Sequence, residues 1–163
     1  MATGLNRMTH RVLFVCLGNI CRSPLAEAAF RAEAARIGLD AEADSAGTGG
    51  WHRGEAPDRR AIAAARRNGV DISHLRARQV RPEDFEAFDH VVALDRHNLA
   101  DLEALQPAGS RARLSLLLDH VPGREGEAVA DPYYGGDDDF DITWRDVTEG
   151  AAALAEELQR EDV

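Results

Sequence analysis

Two chemically capable side chains stand close together near the start of the chain: Cys16 and Arg22, with Leu17, Gly18, Asn19, Ile20 and Cys21 between them. A thiolate is a strong nucleophile, and a guanidinium presents a planar fork of donors that matches two oxygens of a tetrahedral oxyanion. Five intervening residues suffice for one tight loop in which about six backbone N–H groups converge on a single anion. The apolar run Arg11 to Cys16 precedes the pair, and Ser23-Pro24 follows it. The order is therefore strand, anion-cradling loop and helix start, with Ser23 expected at the N-cap and Pro24 at the first helical position. The first amides and positive dipole end of that helix would point at the same anion. Such a nest favours the thiolate form of a cysteine at its base.

Taken alone, a cysteine and an arginine at this spacing also fit a buried structural thiol and a surface cation. The whole run Cys16-Leu-Gly-Asn-Ile-Cys-Arg-Ser-Pro24, placed after an apolar strand, closely resembles the phosphate loop of the low-molecular-weight protein tyrosine phosphatases. Far downstream, Asp131-Pro132-Tyr133-Tyr134-Gly135 matches the Asp-Pro-Tyr-Tyr loop of the same family. The resemblance implies a metal-independent phosphatase that hydrolyses phosphotyrosine and small aryl phosphates through a phosphocysteine intermediate. Cys16 would attack phosphorus, while Arg22 and the loop amides hold the equatorial oxygens. The phenolate leaving group then needs a proton, which Asp131 can give before acting as base toward water. Pro132 would stiffen that loop beside the acid. By composition alone the segment also suits an ordinary turn.

The resemblance assigns further parts. Ser23 would donate to the thiolate, and Ser45 would brace Asn19, for which a left-handed backbone is expected. Trp51 would face Tyr133 and Tyr134 across a slot for the aryl ring, although tyrosines are as often packing residues. Family members often read Ser-Gly-His-Arg-Ala-Arg where this chain has Ser73-His74-Leu75-Arg76-Ala77-Arg78. Aligned without a gap, Leu75 takes the place of a bracing histidine, and a small loop shift would be needed to return His74 to the network. Cys21 resembles a second loop cysteine with which a sulfenic acid on Cys16 can condense; the alternative is a small inert loop residue.

The elements that must hold these residues follow from periodicity. Arg11 to Cys16, Ala41 to Ser45, His90 to Leu94 and Arg113 to Leu118 read as strands. Leu25, Ala28, Ala29 and Ala32 form one helical face, ended by Gly38. Asp58 is expected to cap a helix reaching Asn68-Gly69; Pro82 opens a helical turn, and Asn98 to Gln106 is a helix closed by Pro107. Trp144, Val147, Ala151, Leu154, Ala155 and Leu158 make the buried stripe of a last helix, with Gly150 as an interior weak point. Asp137, Asp138, Asp139 and Asp141 read as solvated surface. Strands alternating with helices give an α/β fold with a parallel sheet, whose ligands bind beyond the strands' carboxyl ends, where Cys16, Ser45 and Asp95 fall. The resemblance implies a single-domain, doubly wound four-stranded sheet with helices on both faces.

Composition sets the remaining bounds. At 163 residues and 44% hydrophobic, the chain fits one globular domain, read as a short flexible leader over residues 1–10 and a phosphatase domain over 11–163. No stretch approaches the roughly 18 apolar residues of a membrane span, and the leader lacks the layout of a signal peptide. Two cysteines five positions apart do not make a secreted disulfide framework, so a cytoplasmic setting is expected. The net charge of −10 excludes generic nucleic-acid binding. The six histidines are scattered, and no aspartate follows Asp95 two residues on, so neither a resident metal nor an aspartyl-phosphate is expected. No cofactor is implied. Partners are a phosphotyrosine protein, with a bacterial-type tyrosine kinase among the candidates, and inorganic phosphate or another oxyanion in the loop. Three readings compete. An arsenate reductase on the same fold needs resolving cysteines, and none follows Cys21. A protein arginine phosphatase tends to carry threonine where Ile20 stands. A non-catalytic phosphotyrosine-binding module requires neither Cys16 nor Asp131.

Overall fold

Short runs, apolar over 12–16 and 91–93 and alternating with polar residues over 41–47 and 113–116, supply the strands, and the computed structural model, which describes residues 9–162, pairs them all in parallel. They are β1 (His10–Cys16), β2 (Ala41–Gly47), β3 (His90–Ala93) and β4 (Arg113–Leu116), in the order β2-β1-β3-β4. β1 lies inside the sheet and is covered on both faces, which is why it reads as unbroken apolar sequence rather than an alternation. Val12 and Phe14 point into one core and Leu13 and Val15 into the other. The first core also receives Leu25 and Phe30 of α1 (Arg22–Ile37), Ala61 of α2 (Arg59–Arg67) and Leu154 of α5 (Asp137–Glu161). Phe85 of α3 (Asp84–Ala87) and Leu102 of α4 (Arg96–Leu105) close the second. Among the described residues, no helix is long and apolar enough to cross a membrane.

Several boundaries differ from expectation for local reasons. α1 begins at Arg22, so Ser23 is not its N-cap and Pro24 occupies the third helical position; Cys21 stands at the cap without a side-chain hydrogen bond. β2 runs on to Gly47 because that residue's amide donates to the Arg78 carbonyl (2.8 Å) and its carbonyl accepts from Val80 (2.8 Å). α4 starts at Arg96, since Asp95 caps it by accepting from the Asn98 amide (2.8 Å). β4 stops at Leu116, where Asp119 takes the Leu116 amide (3.0 Å) and turns Leu117–His120 into a 3₁₀ turn. The acidic run is not merely solvated: Asp137, Asp138 and Asp139 form the first turn of α5, where negative charge suits the helix dipole. Asp141 pairs with Arg67. Gly150 is a packing requirement rather than a weak point, because a Cβ there would lie 2.5 Å from Leu117 Cγ. Of the expected leader, residues 1–8 lie outside the described residues. Thr9 donates to Asp40 (3.0 Å), and His10 opens β1 with its ring against Asp162 (2.8 Å).

Candidate active site

β1 delivers Cys16 to the carboxyl edge of the sheet, where it is 3% exposed. The chain then turns through residues 17–21 and enters α1 at Arg22. That turn depends on Asn19, whose φ of 58° is the one positive value outside glycine among the described residues. A left-handed asparagine persists when its surroundings over-determine it, and here both ends of its amide are engaged. Nδ2 donates to Ser23 Oγ (2.8 Å) and to Ser45 Oγ (3.0 Å), while Oδ1 accepts from the Arg78 amide (2.9 Å). Gly47 allows the loop to lie directly on β2: a Cβ there would approach the Leu17 carbonyl oxygen to 2.7 Å. Ser23 Oγ ends 3.0 Å from Cys16 Sγ.

Arg22 is buried and aimed from behind. Its Nη1 donates to Asp95 Oδ2 (2.8 Å) and to the Val129 carbonyl (2.9 Å), and its Nη2 lies 3.7 Å from Asp131 Oδ2. The residue that caps α4 therefore also fixes the guanidinium, and Arg22 draws the segment leading to the acid toward the phosphate loop.

The acid stands on a different kind of support. Asp131 has a half-exposed side chain and accepts from the Tyr133 amide (3.1 Å), closing a small turn around Pro132. Arg60 holds the rest of that loop from α2, donating to the carbonyls of Tyr133 (2.9 Å) and Gly135 (2.8 Å) while its plane covers the Phe140 ring at 4.6 Å. Asp58 anchors Arg60 through both carboxylate oxygens (3.0 and 2.9 Å), and these bonds pull the Asp58 carboxyl below its ordinary range. The Asp58 amide, in turn, donates to the Ile20 carbonyl (2.8 Å). One Asp58–Arg60 unit thus ties the acid loop to the phosphate loop.

Between the two loops lies a cleft of about 260 Å³. Cys16, Leu17, Gly18, Ile20, Cys21 and Arg22 line it together with Asp131, and Trp51, Tyr133 and Tyr134 supply its aromatic surface. Trp51 is 72% and Tyr134 96% exposed, so neither is a core residue. Both cysteines are free, and burial pushes the Cys21 thiol far up, with Asp58 adding to the effect. Asn19, Ser23 and Ser45 stand behind the cleft as the hydrogen-bonded frame already described.

His74 is the correction. It lies in a separate groove with Glu27, Arg31 and Leu75, and makes no hydrogen bond to Asn19 or Ser45. The turn that closes with the Leu75 amide on the Ile72 carbonyl (3.1 Å) packs Leu75 against the core, so the loop does not shift to bring the histidine in. Glu27 takes the Ser45 proton instead, accepting from Ser45 Oγ at 2.8 Å. Sequence reasoning missed Glu27, the Asp95 contact to Arg22, the Asp58–Arg60 unit and His52, which also lines the cleft. Glu27 had a legible signal: it sits one helical turn after Ser23 on an alanine-rich face. Adjacent Asp and Arg residues carry no such signal. Among the described residues, no three His, Cys, Asp or Glu side chains come together as a metal site would require.

This geometry has close counterparts. The family model for low molecular weight phosphotyrosine protein phosphatase matches residues 11–163. A low molecular weight phosphotyrosine protein phosphatase of Schizosaccharomyces pombe is 47% identical over 133 residues, covering 80% of this chain and 85% of that protein. A low molecular weight protein-tyrosine-phosphatase of Streptomyces coelicolor is 50% identical over 139 residues, covering 82% of this chain and 84% of its own. The crystal structure of YfkJ from Bacillus subtilis superposes with a TM-score of 0.87 at 39% identity, covering 94% of this chain and 97% of that one.

Proposed function

Because this chain belongs to the low-molecular-weight phosphotyrosine protein phosphatase family, we propose that it hydrolyses phosphotyrosine in proteins through a phosphocysteine, without a metal ion. The observation that carries the reading is the convergence of Cys16 and Arg22, from one loop, and Asp131, from a distant part of the chain, on one cleft. Cys16 Sγ attacks phosphorus in line with the phenolic oxygen. The loop amides and Arg22 meet the three equatorial oxygens, and because Asp95 already orients the guanidinium, little reorganisation accompanies the transition state. Asp131, on the more exposed loop, protonates the departing phenolate and then takes a proton from the water that attacks the phosphocysteine. The P–S bond breaks with its electron pair on sulfur, toward which Ser23 Oγ stands at 3.0 Å.

Trp51, Tyr133 and Tyr134 give the aryl ring its apolar walls, and Ile20, apolar at the cleft, suits an aryl ester better than a phosphorylated guanidine. Cys21, free and lining the same cleft as Cys16, is the thiol with which an oxidised Cys16 would condense. The partner we propose is a tyrosine-phosphorylated protein of the cytoplasm, with a bacterial-type tyrosine kinase among the candidates.

The test is initial-rate hydrolysis of an aryl phosphate and of phosphotyrosine and phosphoarginine peptides, with a chelator present, for wild type and Cys16→Ser. Chelator-resistant turnover of the aryl and tyrosyl substrates that vanishes in the variant is the expected result. Preference for phosphoarginine would replace the substrate, and turnover surviving in Cys16→Ser would sink the mechanism.

A further inference from the structure

A chain of hydrogen bonds runs from the surface of α1 to the sulfur of Cys16, and the proton inventory of its members sets the direction of every link. Arg31 has only donors and gives Nε–H to Glu27 Oε2 (3.0 Å). A carboxylate has only acceptors, so Glu27 Oε1 receives the Ser45 hydroxyl proton (2.8 Å). With that proton committed, Ser45 Oγ accepts from Asn19 Nδ2 (3.0 Å), and the second Nδ2 hydrogen goes to Ser23 Oγ (2.8 Å). The Asn19 amide cannot be reversed, because its oxygen is taken by the Arg78 amide (2.9 Å). Ser23 keeps one proton, and its remaining partner is Cys16 Sγ at 3.0 Å.

We propose that Glu27 is a positioning residue of the active site: its carboxylate, held by Arg31, takes the Ser45 hydroxyl proton, so that Ser45 Oγ accepts from Asn19 and anchors the amide that leaves the Ser23 proton to Cys16 Sγ. The proposal rests on the reading of Cys16 as the nucleophile. Glu27 is 1% exposed, and a carboxylate is costly at such depth, between Ala26 and Ala28 in an apolar wall. A charge at that depth needs a reason. Fixing the polarity of this chain supplies one. His74, which shares the groove with Glu27 and Arg31, makes no hydrogen bond to Ser45, and Glu27 is the acceptor of the Ser45 proton. A hydroxyl aimed at sulfur donates to the negative charge that sulfur carries in the attack. It also favours the sulfur as leaving atom when the P–S bond breaks, with no proton transferred to it.

Glu27→Gln tests the direction of the chain without changing its shape. Arg31 should claim the new amide oxygen, which turns the NH₂ toward Ser45, so donor meets donor and the Ser45 proton loses its acceptor. Alkylation of Cys16 by iodoacetate near neutral pH, followed by peptide mass mapping that separates Cys16 from Cys21, should slow about tenfold. Phosphocysteine breakdown should slow alongside, giving a burst of phenol. In Glu27→Gln/Arg31→Ala the amide is free to turn its oxygen to Ser45, and most of the alkylation rate should return. A wild-type alkylation rate in folded Glu27→Gln, or a double variant no faster than the single one, overturns the proposal. Should Glu27→Gln fail to fold, Ser45→Ala carries the same expectation, and its slowed alkylation should not respond to Arg31→Ala; a wild-type rate there is equally fatal. Alkylation reads the thiol without turnover, so failure of the catalytic reading would appear separately, as hydrolysis surviving Cys16→Ser.

Discussion

The two loops that frame the cleft are built on opposite plans. In the phosphate loop every bracing polar side chain is buried and spoken for: Asn19 by Ser23, Ser45 and Arg78, and Arg22 by Asp95 and Val129. The acid loop is exposed: Arg60 holds it by two backbone carbonyls, and Arg22 reaches it only at Asp131, at 3.7 Å. The difference matches what each must recognise. A phosphoryl group in transit has one geometry, so donors fixed in advance serve it best. In the proposed reaction the leaving group belongs to a protein substrate of variable shape, and Asp131 is tethered at its base and left accessible.

Breaking the rigid side should have the largest effect. Cys16→Ser should abolish turnover yet still bind inorganic phosphate, as calorimetry would read; loss of phosphate binding in a folded variant would mean that sulfur also holds the loop together. Asp131→Asn should cost about 10²–10⁴ in kcat for a poorly leaving alkyl-substituted phenol and far less for p-nitrophenol. Equal slowing of both would remove Asp131 from the acid role. Arg60→Ala sharpens the contrast: it should reproduce a several-fold, leaving-group-dependent fraction of the Asp131 defect while phosphate affinity changes little. If phosphate affinity collapses instead, the Asp58 link to Ile20 transmits more than position, and the two loops are one unit.

The smallest expected effect is on stability against pH, and the two sides should differ in sign. Asp58, lowered by its bonds to Arg60 from an ordinary 3.8, contributes stability that is present above that value and lost as pH falls through the lower folded one. Burial raises Glu27, despite its Ser45 bond, from an ordinary 4.5; its contribution is complete below that value and lost as pH rises through the folded one. In thermal melts the deficit of Asp58→Asn should therefore shrink on acidification. The melting point of Glu27→Gln relative to wild type should instead fall. Parallel slopes would contradict both assignments.

The same division governs what could be read from sequence. β1, the phosphate loop and the Asp-Pro-Tyr-Tyr segment are local: each is a continuous run whose residue types state their own geometry. The sheet followed from the alternation of apolar runs with helical periods, and the family match covers the same span. What stayed hidden depends on contacts across the chain. The one-residue offset of His74 is legible in Ser73-His74-Leu75; that the loop does not shift to undo it depends on Ile72 and Leu75 anchoring their turn to the core. Arg60 looks like any surface cation until α2 lies beside residues 133–135. Ser23 suggested a helix cap, but its hydroxyl is engaged by Cys16 and Asn19 instead.

Gly150 bears on attempts to engineer the protein. A glycine inside a 25-residue helix is the first position that a thermostabilisation scheme would convert to alanine, for a gain of about 1 kcal/mol in an exposed helix. Here the added methyl would meet Leu117, which is fully buried, and overpacking of that kind costs about 1–3 kcal/mol. Leu117 stands in the 3₁₀ turn against which α5 packs, so relieving the clash shifts the helix or that turn, and the first turn of α5 follows directly on the loop that carries Asp131. Stabilised variants of this chain are better sought on the outer face of α5, with position 150 left alone.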